Sequence, residues 1–299
     1  MKTLIKNILR KPYRKFRQIF SQVDFVPSGH FYSPIQSDFD IQTSKVDYTR
    51  VLGVDLKLKE QLKLLKIFGS YYSQMPFREH KEANLRYYFD NPAYCHSDGI
   101  CLYAMMRHLK PKKIIEVGSG FSSALMHDVN DIFFKLKGGA AEGIAITHIE
   151  PYPKTLQSIF PPDEFHSLNL YQNRLQDIPL TLFTQLEAND ILFIDSTHIS
   201  KVNSDVNRIF FEILPSLKSG VFVHFHDIFY PFTYPLEWLQ EKRAWNESYI
   251  LRAFLQYNDS FEIAFFNTCL NHFYPDEFAK TLPLSQKNTG GSIWIKKIK

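Results

Sequence analysis

The stretch IIEVGSGFSS at residues 114–123 decides the fold, because a short apolar run leads straight into a turn with two glycines. Gly118 and Gly120 allow the backbone to turn sharply and a ligand to approach it, and Ser122 or Ser123 can cap a following helix. The dinucleotide fingerprint requires glycine at its last position, where this chain has Ser123. The pattern predicts a strand, a ligand-binding turn and a helix, and disfavours NAD.

Six more apolar runs follow this stretch, and long connections separate most of them. They are AITHIE (145–150), LNLY (168–171), ILFID (191–195), VFVHFHD (221–227), FEIAFF (261–266) and SIWI (292–295). Apolar strands joined by long crossovers indicate an α/β fold with a largely parallel sheet and helices on both faces. The last run is short and follows two glycines, which predicts an added antiparallel strand at the sheet edge.

The part of the chain before the sheet lacks this alternation of apolar runs and long connections. Residues 24–60 are rich in Pro, Ser, Asp and aromatic residues without periodicity, which predicts an extended strap. Apolar spacing predicts one helix from about Leu56 to Met75 and a second from about Asp98 to Leu109.

Composition excludes several classes of protein. With 299 residues, 44% hydrophobic and 22% charged, the chain is typical of a globular protein of one large or two modest domains. Its apolar stretches are too short and too polar to span a bilayer, and three cysteines without CxxC spacing fit neither a disulfide framework nor a zinc knuckle. We therefore predict a cytoplasmic protein.

Positive charge is concentrated at the N-terminus. Residues 1–23 contain no acidic residue, and their basic residues are Lys2, Lys6, Arg10, Lys11, Arg14, Lys15 and Arg17. Apolar residues at helical spacing accompany them, although Pro12 should kink such a helix. Two interpretations stay open: a peripheral helix on the inner, anionic face of a membrane, or an arm that packs on its own domain. No basic stripe remains beyond this segment, so nucleic acid is not an expected partner.

Acidic residues follow three successive strands of the predicted sheet. Glu116 ends the first strand, Glu150 ends the second, and Asp177 follows the third. A carboxylate after the second strand hydrogen-bonds ribose hydroxyls in nucleoside-binding sheets, while Asp177 could accept from an exocyclic amine. Glu116 would repel a diphosphate and suits an amine. Any one of these residues alone would be read as a helix cap or a solvated loop residue.

A second group of polar residues follows the fourth and fifth strands. Asp195 and His198 follow the fourth strand, and His226 and Asp227 end the fifth. Neighbouring strands lie about 5 Å apart, so these four side chains could bind one ion. Paired carboxylates suit Mg²⁺, whereas two imidazoles favour Mn²⁺, Fe²⁺ or Zn²⁺. In a second role, His198 would act as a general base, with Asp195 beside it. Structural roles are the alternative: Asp195 as a helix cap and His226 as its hydrogen-bond partner.

The segments EVGSGFSS, LFIDSTH, VFVHFHDIFYPFTYP, WNESYILRAFLQYN and GGSIWI resemble the class I S-adenosylmethionine-dependent methyltransferases, in the subgroup called methyltransferase family 24. The resemblance covers about residues 85–297 and implies a Rossmann-like, seven-stranded sheet with an antiparallel last strand. It places Glu116, Gly118 and Gly120 around the methionine part of S-adenosylmethionine, and we also expect Ser122 to bind the cofactor. It also places Glu150 on the ribose and Asp177 near the adenine.

This resemblance implies a domain of residues 85–299, preceded by an N-terminal extension of residues 1–84. The implied activity is O-methylation of a small molecule or a glycan hydroxyl, assisted by a divalent metal. Catechol-type and macrolide-sugar O-methyltransferases look similar in having acidic metal ligands at the same two strand ends, where this chain adds His198 and His226. The alternative is a noncatalytic methyltransferase-fold scaffold, tethered to a membrane-bound assembly by its basic N-terminus.

Overall fold

The structure is a computed structural model that describes residues 25–135 and 143–299. The basic segment 1–23 lies outside the described residues, so its helix and its membrane contact stay predictions. No described helix combines the length and the apolar character that a bilayer crossing requires.

The described residues form two compact units. The smaller unit consists of residues 25–46 and 235–244, and the larger unit contains the rest, including the sheet. Residues 47–84 of the predicted N-terminal extension lie in the sheet-bearing unit.

The larger unit is built on a seven-stranded sheet in the order β3-β2-β1-β4-β5-β7-β6. The strands are β1 (Lys113–Val117), β2 (Ala145–Ile149), β3 (Asn169–Tyr171), β4 (Ile191–Ile194), β5 (Phe222–His226), β6 (Phe261–Phe266) and β7 (Ser292–Lys297). The first five strands pair in parallel, and β7 is antiparallel to both of its neighbours. The predicted seven strands and the antiparallel last strand are confirmed.

The predicted edge position of the last strand is wrong, because β7 lies between β5 and β6. Its residues Ile293, Trp294 and Ile295 are fully buried, as expected for an interior strand covered on both faces. The edge strand is β6. The buried Gln61 side chain accepts a hydrogen bond from the Phe266 amide at 2.8 Å, which satisfies one backbone donor of that strand.

Helices of the larger unit cover both faces of the sheet. The α-helices are α1 (Asp38–Thr43), α2 (Leu58–Tyr72), α3 (His96–Leu109), α4 (Phe121–Phe133), α5 (Lys154–Ile159), α6 (Pro162–Ser167), α7 (Asp205–Arg208), α8 (Leu214–Ser216), α9 (Leu236–Gln240), α10 (Glu247–Leu255), α11 (Asn267–Phe273) and α12 (Pro275–Thr281). Successive side chains of β1 point to opposite faces of the sheet and pack into two hydrophobic cores. Ile114 packs with α2, α3 and α4, and Ile115 packs with the opposite layer, which contains α10. Both helices predicted before the sheet are present, as α2 and α3.

The strap predicted as extended contains a short helix, α1. Its start is a capping box in which the Ser37 hydroxyl accepts from the Asp40 amide at 3.1 Å and the Asp40 carboxylate accepts from the Ser37 amide at 2.9 Å. In the same unit, the Gln36 side chain donates to the carbonyl oxygen of Leu239 at 2.7 Å. These local hydrogen bonds give structure to a segment that has no apolar periodicity.

A chain of buried polar groups crosses the core beside β1 and β2. The fully buried Glu116 carboxylate lies 2.7 Å from Nδ1 of His148, and Nε2 of His148 lies 3.0 Å from Nε2 of His127. Burial, reinforced by the neighbouring His148 and Arg86, lowers the pKa of His127 to about 3. The folded chain therefore holds His127 neutral.

This neutrality makes stability dependent on pH. The pKa of His127 is about 3 in the folded chain against 6.5 for a free histidine, so the unfolded chain binds the extra proton between these values. The free energy of unfolding should fall as the pH drops from 6.5 toward 3. We expect His127→Gln, which keeps an N–H group for His148, to flatten this fall in denaturant titrations at a series of pH values. His166→Gln, at an exposed histidine, is the control, and equal slopes for both variants would contradict the assignment.

Candidate functional site

The glycine turn after β1 packs directly against the end of β4. Gly118 has a φ of +78°, and a Cβ at this position would lie 2.0 Å from the carbonyl oxygen of Asp195. The Asp195 amide donates to the Val117 carbonyl at 2.8 Å, which fixes this close approach. Only glycine fits at residue 118, because the Asp195 carbonyl leaves no room for a side chain; a ligand is not needed to explain this glycine.

Gly120 lies in a different environment. A Cβ there would meet only Cγ2 of Thr155, at an ordinary contact distance of 3.5 Å, and its φ of −175° is open to any residue. A methyl group at residue 120 would therefore be tolerated in ordinary contact with α5.

Glu116 lies beneath the turn. Ser122 donates to Oε1 of Glu116 at 2.7 Å, and Ser123 donates to Oε2 at 2.5 Å. Ser123 also accepts from the Gly120 amide at 3.0 Å, so these side chains tie the turn to β1. In the structure, Glu116 and Ser122 hydrogen-bond to each other. Their expected contacts with the cofactor stay predictions. The partner His148 was missed, although a histidine inside an apolar strand run was a signal for a buried polar contact.

Glu150 joins the loops after β1 and β2. Its Oε2 accepts from the Ser119 amide at 3.2 Å and its Oε1 accepts from the Tyr152 amide at 2.7 Å. Glu150 is half-buried, and each carboxylate oxygen keeps a lone pair for a further donor. Asp177 lies on an exposed turn and accepts from the guanidinium of Arg174 at 3.1 and 3.2 Å. Its contact with an adenine stays a prediction.

The four residues predicted as metal ligands converge at the ends of β4 and β5. Nε2 of His198 lies 3.4 Å from a carboxylate oxygen of Asp195 and 3.4 Å from one of Asp227. Nδ1 of His226 lies 3.4 Å from Asp195 and 3.8 Å from Asp227. Ligand atoms of Asp195, His198 and Asp227 all lie within 4.8 Å of one another. The strand ends thus bring together the side chains that the sequence places there.

Two more carboxylates hold the imidazoles from behind, and sequence reasoning missed both. Nδ1 of His198 lies 2.8 Å from Oε2 of Glu247, and Nε2 of His226 lies 3.5 Å from Asp98. Asp98 and Glu247 are buried acidic residues near the starts of α3 and α10. An acidic residue in an otherwise apolar helix was the available signal.

Electrostatics at this cluster favours positive charge. Burial alone would lower the pKa of His198, but its bonds to Asp195 and Glu247 outweigh burial and raise the pKa to about 10. Burial likewise opposes the charge on His226, yet Asp227 and Asp195 raise its pKa well above the usual range. Burial also raises the pKa of Asp227. Four carboxylates around two imidazoles form a site suited to a cation.

The residues fit a divalent metal. Nδ1 of His226 is buried, has no hydrogen-bond partner among the described residues, and faces Asp195 and Asp227. His198 and Asp227 hold positive φ angles of 60° and 57°, an uncommon conformation for residues other than glycine that is often found at functional sites. Imidazole nitrogens and carboxylate oxygens are the usual ligands of divalent transition metals.

Residues 115–228 match the family model described as a methyltransferase domain. This span runs from β1 to just beyond β5 and includes both groups of site residues. An uncharacterized protein of Archaeoglobus fulgidus is 36% identical over 176 residues, which cover 55% of this chain and 75% of the relative. The chain contains a methyltransferase domain.

Comparison with solved structures finds matches of low similarity. A SAH-bound methyltransferase of Podospora anserina is 14% identical, with 67% of this chain and 78% of that chain covered and a TM-score of 0.41. A DUF574 family protein of Streptomyces avermitilis is 10% identical, with 67% and 80% covered and a TM-score of 0.41. The assignment of a methyltransferase domain rests on the sequence match over residues 115–228.

The two glycines of the methyltransferase turn should respond differently to alanine. We expect Gly118→Ala to lower the free energy of unfolding by about 1–3 kcal/mol, because its Cβ would collide with the Asp195 carbonyl at a left-handed φ. Gly120→Ala should change it by less than about 0.5 kcal/mol, as for other positions with free space. Denaturant titration measures both values, and equal losses at the two positions would contradict the assignment.

Proposed function

We propose that the protein transfers the methyl group of S-adenosylmethionine to a hydroxyl of a small molecule or a glycan, with assistance from a divalent metal. The observation that carries this proposal is the cluster of Asp195, His198, His226 and Asp227, in which the buried Nδ1 of His226 makes no hydrogen bond within the described residues. Through the contact of Gly118 with the Asp195 carbonyl, this cluster adjoins the glycine turn of a methyltransferase domain.

Glu150 and the glycine turn would hold the cofactor, which supplies an electrophilic methyl group when bound. The Glu150 carboxylate has lone pairs left to accept hydrogen bonds from ribose hydroxyls. Its two bonds to backbone amides fix its orientation before any ligand arrives.

Asp195, His198 and Asp227 would hold the metal, with His226 as a fourth ligand. A divalent ion there would lower the pKa of a bound hydroxyl and orient its oxygen. Asp195 and Asp227 supply negative charge, and the two imidazoles favour Mn²⁺, Fe²⁺ or Zn²⁺ over Mg²⁺. In the alternative role of His198 as a base, its neutral form, which becomes abundant only toward its raised pKa, would take the acceptor proton at Nε2, and Glu247 would stabilise the resulting imidazolium.

Aromatic residues near the cluster have distinct roles. Tyr230, Phe232 and Tyr234 are buried, so they anchor the segment after β5. The ring of Trp245 lies 4.4 Å from the His198 ring between centroids, next to the metal ligands. Because an indole can stack on a ring or on the apolar face of a sugar, we propose Trp245 as one wall of the acceptor site.

Calorimetry with S-adenosylmethionine and S-adenosylhomocysteine tests the cofactor site. We expect the wild-type protein to bind both, and Glu150→Ala to weaken binding by about 1–3 kcal/mol, the effect of losing a hydrogen bond to a buried partner. Asp163→Ala, which removes an exposed carboxylate on α6, is the matched control. A folded wild-type protein that binds neither ligand would support the scaffold alternative, and normal binding by Glu150→Ala would contradict the role of Glu150.

Metal titration of the chelator-treated protein tests the second half of the site. Asp195→Asn and Asp227→Asn should each abolish high-affinity uptake of Mn²⁺ or Zn²⁺, while affinity for S-adenosylhomocysteine survives because Glu150 and the glycine turn are unchanged. His198→Ala should also lower metal affinity. Asp276→Asn, at an exposed site on α12, is the control. If His198→Ala binds metal normally and only slows turnover, by about 10² to 10⁴, the base role replaces the ligand role.

A further inference from the structure

We propose that Glu247 is a positioning residue that directs Nε2 of His198 toward Asp195 and Asp227 and so raises the affinity of the site for its divalent ion. This inference rests on the proposed metal site and assigns a role to a residue on a separate element, α10.

The Glu247 side chain is almost completely buried, with 1% of the residue exposed. Its Oε2 lies 2.8 Å from Nδ1 of His198, and its Oε1 accepts from the Ser196 hydroxyl at 2.9 Å. Both of these side-chain hydrogen bonds go to the loop that carries His198. A buried carboxylate is costly unless it is well paired, so this arrangement ties Glu247 to that loop.

The contact decides which nitrogen of His198 faces the site. An ionised carboxylate only accepts hydrogen bonds, so Nδ1 of His198 carries the hydrogen that Glu247 receives. Nε2 is then the nitrogen directed at the carboxylates of Asp195 and Asp227, at 3.4 Å from each. Carboxylates that bind the rear nitrogen of a ligating histidine fix its orientation and raise its basicity toward a metal.

The backbone of α10 holds His198 as well. The amides of Asn246 and Glu247 both donate to the carbonyl oxygen of His198, at 3.0 and 3.1 Å. His198 has a φ of 60°, a conformation that persists only where the surroundings enforce it. The side chain and the backbone of Glu247 therefore constrain the same residue from two directions.

Asp98, the corresponding carboxylate behind His226, provides a contrast. It lies farther away, at 3.5 Å, and also accepts from the Asn267 side chain at 2.9 Å and from the Gly291 amide at 3.1 Å. Its charge is thus shared with other elements of the fold. Within the described structure, the side-chain hydrogen bonds of Glu247 go only to the loop that carries His198, a proposed metal ligand. We therefore assign the positioning role to Glu247 and not to Asp98.

Calorimetric titration with Mn²⁺ and with Zn²⁺, each added to the chelator-treated full chain, tests this role. We expect Glu247→Ala to weaken metal binding by about 10- to 100-fold, the usual effect of removing such a partner. Glu247→Gln should lie between wild type and Glu247→Ala, because an amide oxygen still accepts from Nδ1 but carries no charge. Glu277→Gln, at an exposed site on α12, is the control.

Two further readouts separate positioning from a merely structural role. Nitrogen NMR shifts of the protein saturated with Zn²⁺ should show Nδ1 of His198 protonated in wild type, and a changed distribution of the hydrogen in Glu247→Ala. Affinity for S-adenosylhomocysteine should stay at the wild-type value in both variants. If Glu247→Ala does not fold, Glu247→Gln decides the question by the same measurements.

The failures are distinguishable. If wild type binds Mn²⁺ or Zn²⁺ and folded Glu247 variants bind them equally well, the positioning role is overturned and the metal site stands. If wild type takes up neither ion, both the metal site and the role of Glu247 are overturned, while binding of S-adenosylhomocysteine still reports on the cofactor half of the proposed function.

Discussion

The contact of Gly118 with the carbonyl oxygen of Asp195 is the constraint on which the site depends. It brings the turn after β1 against the end of β4, at a distance that no side chain at residue 118 would permit. In a parallel sheet the carboxyl ends of neighbouring strands meet at one edge, and here this edge carries the glycine turn, Glu150 and the Asp195 cluster. The proposed cofactor site and the proposed metal site are adjacent because the backbones of residues 118 and 195 are in contact.

At the proposed metal site, four carboxylates surround the imidazoles of His198 and His226. Asp195 and Asp227 face the two imidazoles from the front, and Asp98 and Glu247 face them from behind. Burial penalises every ionised group in this cluster, so an excess of carboxylates is stable only with protons or a metal ion between them. This excess is the physical link between the fold and the proposed metal-assisted transfer.

Distant parts of the chain stabilise this arrangement. The start of β7 reaches Asp98 through the amide of Gly291, and Asn267 at the start of α11 binds the same carboxylate. The interior position of β7 therefore has a consequence for the site, since an edge strand would not lie beside β5, where His226 pairs with Ser292.

The sequence by itself determined the sheet and the front of the site. Apolar runs fix strands because such segments must be buried on both faces, and Asp195, His226 and Asp227 follow from their place at strand ends. Only the tertiary structure decided that β7 is interior, that Glu116 binds Ser122, Ser123 and His148, and that Asp98 and Glu247 hold the histidines. The carboxyl ends of parallel strands lie at one edge of the sheet, so residues at these ends can be predicted to meet. Which helix side chains reach that edge depends on packing between segments far apart in sequence. No local sequence pattern encodes that packing.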